Sequence, residues 1–465
     1  MNGLERVLRL CHTGSVFVDD RHPQDRLHRE LGLFDTTMLC VSSIIGAGIF
    51  LTPGPIAALL PHPGLFLAVW LVGGLLSLAG ALANAELGAM FPRAGGDYVY
   101  LREAYHPFAG FIVGWLSFFV IYAGTVATLA AGFAEGVSRF VGLDRGGTLL
   151  LASATITVVS AINYAGVRRG ARLNNITALI KVLAIVGLSA WAFSTGRGSW
   201  AHFVGPQLEA NALWTNFGLA LSPVLFSYLG WNAPVYVASE IHRPGTTIPR
   251  ALFLGLGLCI GAYLLLNVVY LYALPIHELS HQPNVGEAAA RVLLSDVGAT
   301  AIALLVLASV LGCLNATVLV GPRIAYAMAL DGYFFPGAER VHDRYRTPHG
   351  AIVAQGVTAI ALVLVLQGFP RILDYTTFAI VLATIADTAA LYTLRRKQPE
   401  RPRPYRAWGY PWLPALYLVA NGAIAASLLW GRPVECAVAL TMTATALPFY
   451  RYFQRHTANG VSVAS

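Results

Sequence analysis

Apolar residues run through the chain in long blocks, without the strict alternation of strands or the single apolar stripe of soluble helices. A helix rises about 1.5 Å per residue, so roughly 20 apolar residues cross about 30 Å of hydrocarbon. Twelve blocks meet that length: 36–60, 64–89, 107–137, 148–166, 173–195, 216–238, 250–274, 297–328, 350–368, 371–394, 409–430 and 434–453. The pattern predicts an all-α, polytopic membrane protein with twelve transmembrane helices. Residues 1–35 precede the first block, a basic loop fills 395–408, and 454–465 form a tail.

Two blocks carry helix breakers inside. The first contains Ser42-Ser43-Ile44-Ile45-Gly46-Ala47-Gly48-Ile49-Phe50, with Pro53 and Pro55 after it. The sixth contains Phe226-Ser227-Tyr228-Leu229-Gly230-Trp231-Asn232-Ala233-Pro234. Glycine weakens a helix, and proline removes a backbone donor. Blocks one and six occupy matching places in two five-block halves, the pattern of an inverted-repeat transporter whose broken helices meet at the midplane. Unpaired backbone groups are costly in lipid, so such breaks must line a cavity within the protein. There, half-helix N-termini suit a carboxylate and freed carbonyls suit an ammonium. A zwitterion fits both. The competing reading treats these glycines as helix-packing residues, which are common in membrane helices.

Composition agrees with the pattern. Only 12% of the 465 residues are charged and 56% are hydrophobic, against about 25% charged in soluble domains. An ordinary soluble enzyme is excluded. The net charge of +8 would point to nucleic acid in a soluble protein, but its distribution follows the loops. With both termini in the cytoplasm, 24 of the 31 basic residues fall in inner segments and six outside, a strong positive-inside asymmetry. The remaining one is Lys181, inside an apolar block. The five cysteines are scattered without metal-ligand spacing, so neither a zinc site nor a disulfide framework is expected. The first 35 residues hold five basic and six acidic side chains and no apolar core, and so read as a cytoplasmic lead, not a signal or transit peptide. Asn175-Ile176-Thr177 and Asn315-Ala316-Thr317 fit the glycosylation pattern but lie in or beside spans. No HExxH, phosphate-binding loop or Ser/His/Asp cluster is present, and no metal ligands are assigned.

At this point the chain resembles the amino acid–polyamine–organocation (APC) superfamily, and looks like a bacterial permease related to the L-type amino acid transporters. The resemblance rests on Ile45 to Phe50, on Phe91-Pro92-Arg93-Ala94-Gly95-Gly96-Asp97-Tyr98-Val99-Tyr100-Leu101, on Asn175 to Lys181, on Phe226 to Glu240, and on Gly321-Pro322-Arg323 through Asp331-Gly332. It implies a five-plus-five inverted repeat over 36–394 with helices 1 and 6 broken, helices 11 and 12 (409–453) lying outside it. By position it implies that the N–H groups of Ala47 and Gly48 take the substrate carboxylate, with Gly46 beside them in the substrate site. The amino group would go to the carbonyls of Ile44, Phe226 and Leu229 beside Gly230, with Phe226 as an outer gate and Tyr122 and Tyr375 as side-chain contacts. Two departures matter. Leu229 stands where many L-type members have glycine, which implies a smaller pocket, and Ile121-Tyr122 lacks the glutamate of the cationic branch. Residues 138–147 hold no cysteine, so no disulfide-linked ancillary subunit is expected.

Charged groups inside a span are functional hypotheses by default. Lys181 lies about 12 Å into the membrane by its distance from Leu173; the alternative is snorkelling to the headgroups. By resemblance it replaces the sodium ion of sodium-coupled relatives, set against first-span carbonyls near Ser43 with Ser309 as a partner. It would carry the coupled proton or act as a fixed cation tying binding to gating. Asp387 is a second coupling candidate, pairing with Arg395 or with another helix. Loop 95–103 is expected as a short helix or re-entrant piece that pairs with Glu240 or Arg243 to close the inner gate, or as a plain surface helix. The reading is a secondary transporter of neutral L-amino acids in the bacterial inner membrane, an exchanger or proton symporter, monomeric or dimeric, with no cofactor beyond a coupled proton. The alternatives are a carrier of cationic amino acids or polyamines, and a polytopic membrane enzyme.

Overall fold

The computed structural model describes residues 25–205, 213–282, 284–366, 369–431 and 433–461. Among them the architecture is all-helical, with two isolated β-bridges and no strand. Nine helices among the described residues are long and apolar enough to cross a membrane: Leu33–Leu51, Pro63–Met90, Pro107–Val141, Arg145–Tyr164, Val167–Ser194, Pro244–Ala273, Val285–Leu330, Phe378–Lys397 and Trp412–Trp430. Shorter apolar helices cover Asn216–Ser227 and His349–Val365, and Pro433–Ala444 is another.

Both interrupted blocks are interrupted helices. The first runs over Leu33–Ile44, opens at 45–47, and resumes as Gly48–Leu51 and Pro53–Leu59. The sixth runs over Leu213–Ser227, opens at 228–232 and resumes at Ala233–Tyr236. Leu33–Ile44 packs against Pro244–Ala273, Val167–Ser194 and Val285–Val320, so the first break sits inside the bundle. Small residues allow close helix approach, as where Gly255 faces Cys40 and Gly80 faces Tyr417.

Some boundaries differ from the sequence pattern. The eighth helix starts at Val285, because Glu287, Arg291 and Asp296 give its first turns a polar face that conceals it from an apolar scan; a kink at Ser295 (φ 66°) separates that part. The expected tail at 454 is helical as far as Val461. Loop 95–103 contains the short helix Asp97–Ala104, packed against Phe369–Lys397. Large apolar side chains point outward along the spans, including Leu183, Val357 and Trp430, as expected where lipid is the solvent.

Candidate functional site

The two breaks meet. A Cβ at Gly48 would lie 2.9 Å from Ser227 Oγ, and one at Gly230, where φ is 101°, would lie 2.6 Å from the Ser43 carbonyl oxygen. Glycine is therefore both the break and the contact, and the two sequence readings of these residues converge. Tyr263 ties the breaks together, its hydroxyl within 2.9 Å of the Ile44 and Ser227 carbonyl oxygens. Edge-on contacts with Trp70 hold its ring in place.

Between the breaks lies a cavity of about 340 Å³. Ser43, Ile44, Gly46, Ala47, Gly48, Phe226, Leu229, Gly230 and Tyr122 all line it. Tyr122 reaches the wall from the end of a π-helical turn over Ser117–Tyr122, and its ring lies edge-on to Tyr236. Tyr375 lies outside the described side chains. Among the described residues, no acceptor pairs with the N–H groups of Gly46, Ala47, Gly48 or Ile49, leaving a cluster of donors at a helix start. Of the carbonyls assigned to the amino group, Ile44 already accepts from Tyr263 and Phe226 from the Leu229 N–H at 3.1 Å. Each keeps a second lone pair. The Leu229 carbonyl accepts no described bond.

Lys181 is completely buried. Its Nζ donates to the carbonyls of Ser42 (2.9 Å) and Ile45 (2.7 Å) and lies 3.4 Å from Cys313 Sγ. The carbonyl partners thus lie on either side of Ser43 and Ile44, one in the last turn of Leu33–Ile44 and one at the start of the opened segment. Ser309 does not touch the ammonium; it donates to the same Ile45 carbonyl at 2.7 Å. Cys313, one turn further along that helix, was not anticipated, though its i+4 spacing from Ser309 puts both on one face. A lysine chelated this way by carbonyls is not snorkelling.

At the face carrying the arginine-rich loops the cavity is sealed. Arg323 and Glu240, both buried, pair at 3.0 Å, so the partner of Glu240 is neither loop 95–103 nor Arg243. Burial pushes the Glu240 carboxyl up, and Arg323 restrains the rise. Tyr98 and Arg102 both bind Asp331, and backbone bridges join Ala94 to Val237 and Leu31 to Ile241. Arg395 pairs with Glu86, not with Asp387, at 3.0 Å; Arg403 lies 3.2 Å from the same carboxylate. Asp387 is instead beside Asp97, a cavity-lining residue that sequence reasoning placed only in a loop. At the opposite end, Leu51 and Pro55 on the wall are exposed.

A cavity between two broken helices, with donors at one break and free carbonyl capacity at the other, can grip a small zwitterion. Comparison with known proteins agrees. A family model described as amino acid permease matches residues 31–451. The serine/threonine exchanger of Bacillus subtilis (strain 168) is 29% identical over 444 residues, covering 94% of this chain and all of the relative. The human large neutral amino acids transporter small subunit 2 is 29% identical, covering 91% of this chain and 80% of that protein. The human b(0,+)-type amino acid transporter 1 is 31% identical, covering 81% and 78%. With the match spanning both broken helices and the cavity between them, the chain belongs to the amino acid permease family.

Proposed function

We propose that the protein is a secondary active transporter of neutral L-amino acids working by alternating access, as an exchanger or proton-coupled symporter. The observation that carries this is the cluster of N–H groups at Gly46, Ala47 and Gly48, unpaired among the described residues, in one cavity with the Phe226–Gly230 break. The similarity to a serine/threonine exchanger and to a large neutral amino acid transporter supports it. On this reading the chain has twelve spans, ten of them an inverted repeat. Both termini are cytoplasmic in a bacterial inner membrane, and no disulfide-linked subunit is required. Leu229 narrows the cavity and favours small or medium side chains. A cationic substrate would need an available carboxylate on the wall, whereas Asp97 is engaged by Tyr236 and Asp387.

The test is uptake of radiolabelled alanine, serine, leucine and arginine into proteoliposomes, with and without internal amino acid and with and without a pH gradient. Neutral amino acids should move and arginine should not; absence of movement across the panel would sink the reading. In the same assay Lys181→Ala should abolish net transport or its asymmetry, since the ammonium holds the opened turn at Ser42 and Ile45 together. Wild-type rate and asymmetry would remove Lys181 from the mechanism.

A further inference from the structure

Asp97 and Asp387 are both buried, at 1% and 0% exposure, on different helices. The helices that carry them pack together, and the two carboxyl groups are close enough to perturb each other. Asp97 Oδ2 accepts from the Tyr236 hydroxyl, whereas Asp97 Oδ1 and both oxygens of Asp387 have no donor among the described residues. Two carboxylates at that separation, out of water, cannot both be ionised. A single proton joins the two groups, because it turns one Asp387 oxygen from an acceptor into a donor for Asp97 Oδ1.

The geometry points to a proton-binding site formed by Asp97 and Asp387, placed so that its occupancy is tied to the substrate cavity. Asp387 is the member that carries the proton and donates it to Asp97 Oδ1, since Asp97 alone has a hydroxyl donor able to stabilise a negative charge. Among the described residues no cation is paired with either carboxyl. The titratable groups facing it are tyrosines from four directions: Tyr100 on the Asp97 helix, Tyr236 beyond the sixth break, Tyr122 on the third helix and Tyr417 on the Trp412–Gly431 helix. The Tyr100 hydroxyl is itself buried with no partner among the described residues. Nearby charges are committed elsewhere, Glu86 to Arg395 and Arg403, Arg102 to Asp331 and Glu240 to Arg323. Among the described residues, no third His, Cys, Asp or Glu joins the two carboxyls in a group that could hold a metal ion.

The link to the cavity is a short chain. Asn232, in the sixth break, donates to the Tyr236 hydroxyl at 3.2 Å, and Tyr236 donates to Asp97. Asp97, Tyr236 and Asn232 all line the cavity, as does Thr384, one turn before Asp387. The Gly95 N–H also donates to the Tyr236 carbonyl. When the sixth-helix segment separates from loop 95–103, Asp97 loses Tyr236 and water reaches the pair. The proton then passes from Asp387 to water as hydronium, leaving two solvated carboxylates. Closing withdraws both carboxyls from water, where they cannot both be ionised, so closing the site takes up a proton and opening releases it.

This inference rests on the transport reading above, and the experiment separates the two. Infrared spectra of the purified full chain in lipid nanodiscs at neutral pH should contain a protonated-carboxyl carbonyl band that is absent from Asp387→Asn and shifted in Asp387→Glu. In proteoliposomes, neutral amino acid uptake by wild type should vary several-fold between about pH 5 and pH 8, and that variation should flatten in Asp387→Asn. A missing band, or one unchanged in both variants, overturns the site, as does an unaltered pH profile in Asp387→Asn. If wild type moves no amino acid but the band is present and lost in Asp387→Asn, the transport reading fails and the proton site stands. Asp387→Glu retains the carboxyl and keeps the spectroscopic test decisive if the asparagine variant does not fold.

Discussion

At the scale of single residues, the site depends on what is missing from Gly48 and Gly230 as much as on any side chain. Gly230 combines a left-handed φ of 101° with the Ser43 carbonyl 2.6 Å from where a Cβ would stand. Strain in such a backbone region costs about 1–3 kcal/mol, and the clash with a carbonyl cannot be relieved by a rotamer change. Because about 1.4 kcal/mol is tenfold in rate, Gly230→Ala should lower uptake at least tenfold while protein yield holds. The control is Gly257→Ala, on a helix where an added Cβ meets nothing within 4 Å. It should transport like wild type. Equal loss in both variants would show that alanine disturbs the bundle generally, and that the contact between the breaks is not the sensitive point.

At the scale of elements, the breaks were legible because glycine and proline mark backbone that cannot continue as a helix, and Lys181 because a lone cation in an apolar block demands partners. What remained hidden is pairing between elements remote in sequence. Asp97 and Asp387, or Glu240 and Arg323, come together only once the helices pack, so the sequence offered Arg395 as a partner for Asp387 and loop 95–103 as one for Glu240. The start of the eighth helix was hidden for another reason, since its charged face erases the apolar signal. The Glu240–Arg323 pair has its own consequence. Removing one partner of a buried ion pair costs about 3–5 kcal/mol, and here the cost falls on the arrangement closed at the arginine-rich face. Arg323→Met should shift the population toward the open arrangement, measured as faster reaction of a cysteine at position 94 with an impermeant thiol reagent. Adding Glu240→Gln should restore slow reaction, because no buried charge then lacks a partner. Unchanged reactivity in Arg323→Met would confine the pair to a structural role.

At the scale of the whole molecule, alternating access requires one face of the cavity to close while the other opens, and the structure has an asymmetry of that kind. Cavity walls at Leu51 and Pro55 are exposed, while Asp97, Tyr236 and Thr384 at the other end are buried behind the bridge between Ala94 and Val237. That bridge offers a lock. Cα atoms paired across antiparallel backbone lie about 4.5–5.5 Å apart, within the roughly 4.4–6.8 Å that a disulfide spans. Ala94→Cys with Val237→Cys, once oxidised, should hold the arginine-rich face shut. Transport should then fall nearly to background while amino acid binding from the opposite face persists, since the Gly46–Ile49 donors are untouched. Reductant should restore transport. Transport that continues through the oxidised protein would mean that loop 95–103 and the sixth helix move as one body, placing the moving boundary elsewhere in the bundle. Loss of binding together with transport would mean instead that the cavity itself depends on freedom at this bridge.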